Sequence, residues 1–333
     1  MLINYFQNRK MHVKWNDVIS KVRDLPGGGP QGCQIGMLSY LSQSNDSASF
    51  VQSDEKYKFV DDLSILEVVN LISIGITSYN FKMHVASDIG IDMSYLPPEN
   101  IKSSDYLKEI AEWTDSKLMK LNEEKSHAMI FNYTNNYKFS TRLTMNNFLL
   151  DIIDETKLLG VILSADLTWR KNTKSLVKRG YSRIILLQKL FEFDVPEEDL
   201  VNIYCLFIRS ILEQSCVVWH SAITQEEEND LERVQKVSLK IILKDNYIDY
   251  DTALKRTQLE DLKSRRERLC LKFAKSCLKY EETKDMFPTK KCTHEMKTRC
   301  PERFQVQPAR TERLATSAIP YLQRLLNSGW VRI

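Results

Sequence analysis

The chain has 333 residues, of which 43% are hydrophobic and 27% charged, with ten glycines and nine prolines. This composition excludes collagen-like, low-complexity and wholly disordered proteins, and the length predicts about two domains. The net charge is only +3, but residues 1–169 carry about 16 basic and 21 acidic side chains, and residues 170–333 about 31 and 23. We expect the basic half to bind a polyanion and the acidic half to supply carboxylates.

The cysteine count and the hydropathy predict an intracellular protein of the nucleus or cytoplasm. Seven cysteines, an odd number, favour reduced thiols over a disulfide framework. The first residues contain no apolar run that resembles a signal peptide. The most apolar later stretch, 203–218, is interrupted by Arg209, Glu213 and Gln214 and therefore predicts a buried helix, with no membrane partner.

A glycine-rich loop lies at 27–32. Its spacing formally matches a dinucleotide-binding fingerprint, but no β-branched strand precedes it, and Pro30 removes a backbone N–H that a phosphate would need. We therefore interpret it as a loop that lets another backbone segment approach closely, with Gln31 available to contact a base or a sugar.

Two adjacent carboxylates, Asp61 and Asp62, lie within a short apolar stretch at 57–66 that predicts a β-hairpin. Neighbouring residues on a flat strand point to opposite faces, so both carboxylates reach one metal ion only where the backbone turns tightly. A hairpin tip supplies that turn, and paired carboxylates are ligands that Mg²⁺ uses in phosphoryl transfer. The alternative is a solvent-exposed Asp-Asp turn without metal.

The region between residues 104 and 163 is predicted to form one helix followed by strands. Ser104 or Asp105 caps the helix, whose apolar residues recur with a period close to 3.6. Strands are predicted at 128–133, 141–145, 148–153 and 157–163, and Asn146 and Asn147 are placed for a tight turn.

After Trp169 the pattern becomes helical, with helices predicted at 172–193, 197–222, 225–244, 251–256 and 259–279. Seven basic residues and no acidic residue lie between positions 170 and 189. Lys171, Lys174 and Lys178 share one helical face, which fits the backbone of a nucleic acid. An ordinary solvent-exposed helix face is the alternative.

One cluster of cysteine and histidine residues resembles a metal site, but its spacing does not favour one. Cys292, His294 and Cys300 fit no common zinc pattern. Cys270 and Cys277 are seven residues apart on a predicted helix, which favours packing in the core.

Four motifs occur along the chain: Gly-Gly-Gly-Pro-Gln-Gly-Cys at 27–33, Phe-Val-Asp-Asp at 59–62, Leu-Asn-Glu-Glu-Lys-Ser at 121–126 and Leu-Leu-Gly-Val-Ile-Leu at 158–163. Their order resembles the reverse transcriptases of non-LTR (LINE-type) retrotransposons, and later runs resemble the helical region that follows the polymerase palm. The resemblance implies an α+β fold: an incomplete right-hand polymerase palm at 1–168, with an antiparallel sheet and helices. A mostly α-helical thumb at 169–280 and a C-terminal tail at 281–333 would follow.

The resemblance also implies roles for single residues. Asp61 would bind Mg²⁺ with Asp62 beside it, and Lys125 would lie near the triphosphate and protonate the leaving pyrophosphate. The other implied contacts are those with the template and incoming nucleotide (Gln31, Gly32, Phe59) and with the nucleic-acid backbone (Lys171, Lys174, Lys178). Leu159, Gly160 and Val161 would form a hairpin that positions the primer end.

The implied reaction is Mg²⁺-dependent addition of a dNTP to the 3′-OH of a DNA primer on an RNA template. The family's first catalytic aspartate lies upstream of the glycine-rich loop, in a motif of the kind Asp-x-x-x-Ala-Phe-Asp, which residues 1–26 do not match. We therefore expect a truncated polymerase with little or no activity, because a lost metal ligand removes most catalysis. Two alternatives are a non-enzymatic RNA- or DNA-binding protein and a decayed open reading frame without function.

Overall fold

The computed structural model describes residues 10–16, 18–24, 56–59, 62–65, 103–117, 121–131, 143–289 and 304–329. The chain divides into two compact units, Met1–Ile153 and Asp154–Ile333. Both α-helices and short β-strands are present, which confirms the mixed α and β composition predicted from the sequence. The described strands pair two by two rather than in one larger sheet.

In the first unit, the strands before residue 70 form antiparallel pairs. Strand β1 (Lys10–Met11) pairs with β4 (Arg23–Asp24), and β2 (Lys14–Trp15) pairs with β3 (Val18–Ile19). Strands β5 (Lys56–Phe59) and β6 (Asp62–Ile65) form the hairpin that the sequence predicts, with Phe59 directly opposite Asp62.

Among its described residues from 103 onward, the first unit has one long helix and four two-residue strands. Helix α1 (Ser103–Ser116) follows the predicted periodicity and buries Trp113 and Thr114. Strand β7 (His127–Ala128) pairs in parallel with β10 (Asp151–Ile152), and β8 (Thr144–Met145) pairs with β9 (Phe148–Leu149). Asn146 and Asn147 both have positive φ, which confirms the predicted tight turn between β8 and β9.

The second unit begins with a hairpin in which β11 (Glu155–Leu158) pairs with β12 (Val161–Ser164). The single strand that the apolar pattern predicts at 157–163 is therefore wrong, whereas the hairpin at 159–161 that the family resemblance implies is present. Leu159 has φ 48° and Gly160 has φ 86°, so the chain reverses at these two residues and pairs Leu158 with Val161. Two left-handed residues in succession are the geometry of a tight hairpin turn.

Helices make up most of the second unit. In chain order they are α2 (Arg170–Glu192), α3 (Glu197–Ile203), α4 (Ser210–Leu212), α5 (Cys216–Trp219), α6 (Gln225–Leu243), α7 (Tyr250–Thr257), α8 (Leu262–Cys277), α9 (Glu281–Lys284), α10 (Glu312–Ala315) and α11 (Ala318–Gly329). A π-helical segment, Tyr204–Arg209, joins α3 to α4. Helices α2, α6, α7 and α8 begin and end within about three residues of the predicted bounds.

The single helix predicted at 197–222 is wrong, because the chain breaks after α4. Ser215 has φ 51°, and the Nε1 of Trp219 donates a hydrogen bond to the backbone oxygen of Gln214 at 2.9 Å. The apolar pattern runs through this break because Leu212 and Cys216 are buried in the same core on either side of it. Periodicity alone therefore could not locate the break.

The core of the second unit lies where α2, α6 and α8 pack together. Gly180 on α2 allows close approach, since a Cβ atom there would lie 3.0 Å from Val234 on α6 and 3.2 Å from Leu212. Leu322 and Leu326 on α11 are also buried, so part of the predicted tail belongs to this core. Other fully buried members include Leu176, Leu187, Leu200, Tyr204, Ile208, Trp219, Leu231, Leu239 and Leu262.

Cys270 and Cys277 are both buried on α8, which confirms the prediction that they pack in the core. Cys292, His294 and Cys300 lie outside the described residues. Among the described residues no single helix is long and apolar enough to span a membrane. Two consecutive helical segments, Glu197–Leu212 and Cys216–Ala222, are together long and apolar enough by length and composition alone, but the chain bends by 43° between them.

Candidate nucleic-acid interface

Helix α2 has one buried side and one lysine-rich side. Leu176, Ile184 and Leu187 lie in the core. The opposite side of the helix carries Lys171, Lys174, Lys178 and Lys189, all of them exposed. At 1.5 Å per residue these four lysines extend over about 27 Å.

Several basic side chains of α2 have partners within the second unit. The Nζ of Lys171 lies 2.6 Å from Oε2 of Glu155 on β11, and this hydrogen bond raises the pKa of Lys171. Arg170 forms an ion pair with Glu226 at 3.5 Å, and Nη1 of Arg179 donates a hydrogen bond to Oε1 of Gln214 at 3.0 Å. Glu155 and Glu226 therefore partly neutralise the charges at the start of the helix, and Gln214 accepts from a donor near its middle.

Lys174, Lys178 and Lys189 have no ion pair with any other described residue. We call these three residues the lysine face. Helix α2 contains no acidic residue before Glu192, so the helix itself supplies no carboxylate to neutralise them. A ligand with regularly spaced negative charges is the natural partner for such a row.

An aromatic side chain lies on the same side of the helix. Tyr181 is three residues after Lys178 and seven after Lys174, and it is 37% exposed. Ile185, four residues further on, is 55% exposed. Sequence reasoning missed Tyr181 because an aromatic residue among leucines and isoleucines is typical of a core, and only its spacing from the lysines indicates an exposed position.

A groove of about 220 Å³ lies between α2 and α6 and is lined by side chains of both signs. Lys174 and Lys178 lie on one wall, and Glu226 and Asp230 lie on the other. Below it, the hydroxyl of Thr173 donates a hydrogen bond to Oε1 of the buried Glu227 at 2.8 Å, which fixes α2 against α6. The acidic wall disfavours a phosphate inside the groove, so a phosphate backbone is expected to bind on the outer side of α2.

The hairpin β11–β12 contacts the beginning of α2. The backbone N–H of Ile162 donates to Oδ1 of Asn172 at 3.2 Å. Of the three residues predicted to contact a primer, Leu159 is 52% exposed whereas Val161 is buried. Gly160 lies against Gln214, whose Nε2 would be 2.4 Å from a Cβ atom added at that glycine.

The other predicted site residues belong to the first unit. Asp61, Gln31 and Gly32 lie outside the described residues. Phe59 and Asp62 are paired across the hairpin β5–β6, which makes Asp62 the first residue of a strand. Among the described residues, no group of three His, Cys, Asp or Glu side chains could hold a metal ion.

Lys125 ends a short 3₁₀ helix, Glu123–Lys125, and its side chain is exposed. Its backbone N–H donates to Oδ1 of Asn122 at 3.2 Å, so the turn is capped locally. The exposed ammonium group is therefore accessible to an anionic ligand.

Comparison with protein families, curated proteins and solved structures finds no match to this chain.

Proposed function

We propose that this chain is part of an RNA-directed DNA polymerase of the non-LTR retrotransposon type, and that its second unit binds the backbone of an RNA–DNA duplex through helix α2. The observation that carries the binding proposal is the lysine face: three exposed ammonium groups in a row, without an ion pair among the described residues. Neutralising phosphates with such groups releases counterions, which is the main source of backbone affinity.

The dimensions and chemistry of the face favour a backbone over a base edge. Lys174 and Lys189 are separated by about 22 Å along the helix, which corresponds to roughly six or seven phosphates of one strand. Lysines act as point charges without the planar fork that reads guanine, so they fix position rather than sequence. Tyr181 adds a ring on which an unpaired base can stack.

The polymerase part of the proposal is supported by the order of the four motifs and by the hairpin that carries Asp62. In this proposal Asp61 and Asp62 bind Mg²⁺, and Lys125 acts as the acid at the leaving pyrophosphate. The substrates are an RNA template, a DNA primer and a dNTP. No stretch of residues 1–26 matches the family's first aspartate motif, so we expect little or no polymerisation by this chain.

The binding proposal is tested with the full chain and a fluorescent RNA–DNA duplex, by anisotropy at several salt concentrations. The variant Lys174→Gln/Lys178→Gln/Lys189→Gln removes the lysine face. Each lost phosphate contact lowers the slope of log K against log salt by about 0.9, so the triple variant should lose roughly 2–3 units of slope. Lys272→Gln/Lys275→Gln/Lys279→Gln is the matched control, because it removes three exposed lysines elsewhere.

Equal loss of affinity in both triple variants would contradict the lysine face as the binding surface, and so would an unchanged slope in the first. Primer extension with Mg²⁺ tests the catalytic part separately. Robust extension that disappears in Asp61→Ala would show that the expectation of inactivity is wrong while supporting the polymerase assignment.

A second candidate is a nucleic-acid-binding protein without catalytic activity. It is favoured by the location of the lysine face in the unit that does not contain Asp61 and Asp62. This candidate predicts that neither Asp61→Ala nor the removal of Mg²⁺ changes the affinity for the duplex. It also predicts that the chain extends no primer.

A further inference from the structure

Three arginines converge on a cleft of about 470 Å³ in the second unit. Arg209 comes from the π-helical segment, and Arg265 and Arg268 come from α8. The loop between α7 and α8 completes the lining with Gln258, Leu259 and Glu260. We call this the arginine cleft.

Two carboxylates hold the guanidinium groups in place. Oε1 of Glu213 lies 3.2 Å from Nε of Arg209 and 3.0 Å from Nε of Arg265. Glu260 accepts a hydrogen bond from Nη2 of Arg268 and lies 3.8 Å from Nη1 of Arg265. The side chains of Arg209 and Arg265 are only 17% and 22% exposed, so both are held by their surroundings.

The arginines retain both charge and donors after these contacts. Three guanidinium groups against two carboxylates leave one net positive charge, because arginine does not deprotonate in proteins. The ion pairs use Nε of Arg209 and Nη2 of Arg268. The Nη groups of Arg209, and Nε and Nη1 of Arg268, make no hydrogen bond to another described residue.

Such a site suits an oxyanion with several acceptors. Guanidinium groups present paired N–H donors that match the oxygens of phosphate, and they lose little flexibility when they are already oriented. A single carboxylate would satisfy fewer of the remaining donors. The concave, mostly polar lining also disfavours an apolar ligand.

We propose that the arginine cleft binds a phosphate group. The same chemistry is offered by free phosphate or a phosphomonoester and by the phosphodiester backbone of a nucleic acid. The site is separate in residues from the lysine face, so the proposal stands whether or not the lysine face binds a duplex.

The test uses the full chain and inorganic phosphate as the probe, with sodium chloride at matched ionic strength as the reference. Calorimetric titration and thermal shift report binding. Wild type should bind phosphate and gain thermal stability, and Arg268→Gln should bind at least tenfold more weakly. Arg268 is the residue to change because it is 61% exposed, so its loss leaves the packed side chains in place.

Glu260→Gln distinguishes phosphate binding from a merely structural role of the arginine cleft. Glutamine keeps an acceptor for Arg268 but removes one negative charge, so phosphate should bind several-fold more tightly. Arg233→Gln is the matched control, since Arg233 is an exposed arginine that pairs with Asp230 on α6, and it should leave phosphate affinity unchanged. The proposal is overturned if phosphate produces no larger response than chloride. It is also overturned if Arg268→Gln binds phosphate as tightly as wild type does.

The source of the phosphate is distinguished by repeating the anisotropy titration with the RNA–DNA duplex. If Arg268→Gln lowers the salt slope by about one and free phosphate competes with the duplex, the phosphate belongs to a nucleic-acid backbone. If duplex binding is unchanged while phosphate binding is lost, the ligand is a free phosphate or a phosphomonoester. Loss of duplex binding in the lysine-face variant with phosphate binding intact separates this site from the proposed function.

Discussion

The Nε of Arg266 donates a hydrogen bond to Nδ1 of His220 at 3.2 Å inside the core of the second unit. Arg266 is fully buried, and its Nη2 lies 3.4 Å from Glu228. Because Nδ1 of His220 accepts this bond, the ring is neutral and carries its proton on Nε2. Burial, with the charges of Arg266 and Lys263, lowers the pKa of His220 from 6.5 to about 4.

This arrangement predicts that the protein loses stability as the pH falls from 7 to 5. The unfolded chain takes up a proton on His220 near pH 6.5, whereas the folded chain does so only near pH 4. The free energy of unfolding should therefore fall by about 2 kcal/mol over this range through His220 alone, and the loss should level off below pH 4. Urea denaturation at several pH values measures it.

His220→Gln keeps an acceptor for Arg266 but does not titrate, so its stability should depend less on pH between 7 and 5. His12→Gln, which changes an exposed histidine, should behave like wild type. Parallel pH profiles for wild type and His220→Gln would show that His220 is not the group responsible.

Removing the hydroxyl of Tyr204 should destabilise the second unit. This hydroxyl donates to Oε1 of the buried Gln235 at 2.6 Å, and Nε2 of Gln235 donates to Tyr250 at 2.7 Å. Tyr204→Phe leaves the Gln235 oxygen without its donor in a site that excludes water, which should cost about 1–3 kcal/mol in urea denaturation. Tyr181→Phe alters an exposed tyrosine and should cost less than about 0.5 kcal/mol; equal losses in the two variants would refute the role of the buried network.

Two substitutions in the β11–β12 turn should differ in their effect on stability. Gly160→Ala places a Cβ atom at φ 86° and close to Gln214, so it should lower the free energy of unfolding by about 1–2 kcal/mol. Leu159→Gly relieves a positive φ at an exposed position and should leave stability unchanged or slightly higher. Adding Gln214→Ala to Gly160→Ala removes the steric clash, so it should recover only that part of the lost stability and not the part caused by the positive φ. A gain in stability from Gly160→Ala would contradict the turn geometry.

Leu326 on α11 should contribute to stability like an ordinary core residue, although the sequence assigned it to a tail. It is 1% exposed, so Leu326→Ala should cost about 2–5 kcal/mol. Leu314→Ala changes a leucine that is 39% exposed and should cost far less. A wild-type midpoint of urea denaturation for Leu326→Ala would show that α11 is not part of the folded core.

Local sequence signals predicted those elements whose geometry is decided locally. The pair Asn146-Asn147 tolerates positive φ, and the short apolar arms on either side of Asp61 and Asp62 predicted the hairpin β5–β6. The 3.6-residue period of α2 placed Lys171, Lys174 and Lys178 on one face, as the structure has them. In each case residues close in sequence determine the outcome.

Tertiary contacts decided the features that the sequence did not reveal. Lys171 is paired by Glu155, which lies on a strand outside the helix. Ser215 carries no strong local preference for the left-handed region, yet the chain turns there. Arg209 and Arg268 lie far apart in the sequence but line one cleft, where Glu213 pairs with both Arg209 and Arg265. A pattern confined to one element cannot show such a cleft.

The contacts of α11 have a consequence for the order in which the second unit can fold. The hydroxyl of Ser221 donates to the backbone oxygen of Thr316, 95 residues later, and the ring of Tyr321 packs edge-on against His220. During synthesis, the neighbourhood of Trp219 and His220 therefore stays uncovered until residues 316–326 have left the ribosome. In that interval the half-made core exposes apolar surface to chaperones and proteases, and Leu322 and Leu326 close it only when they arrive.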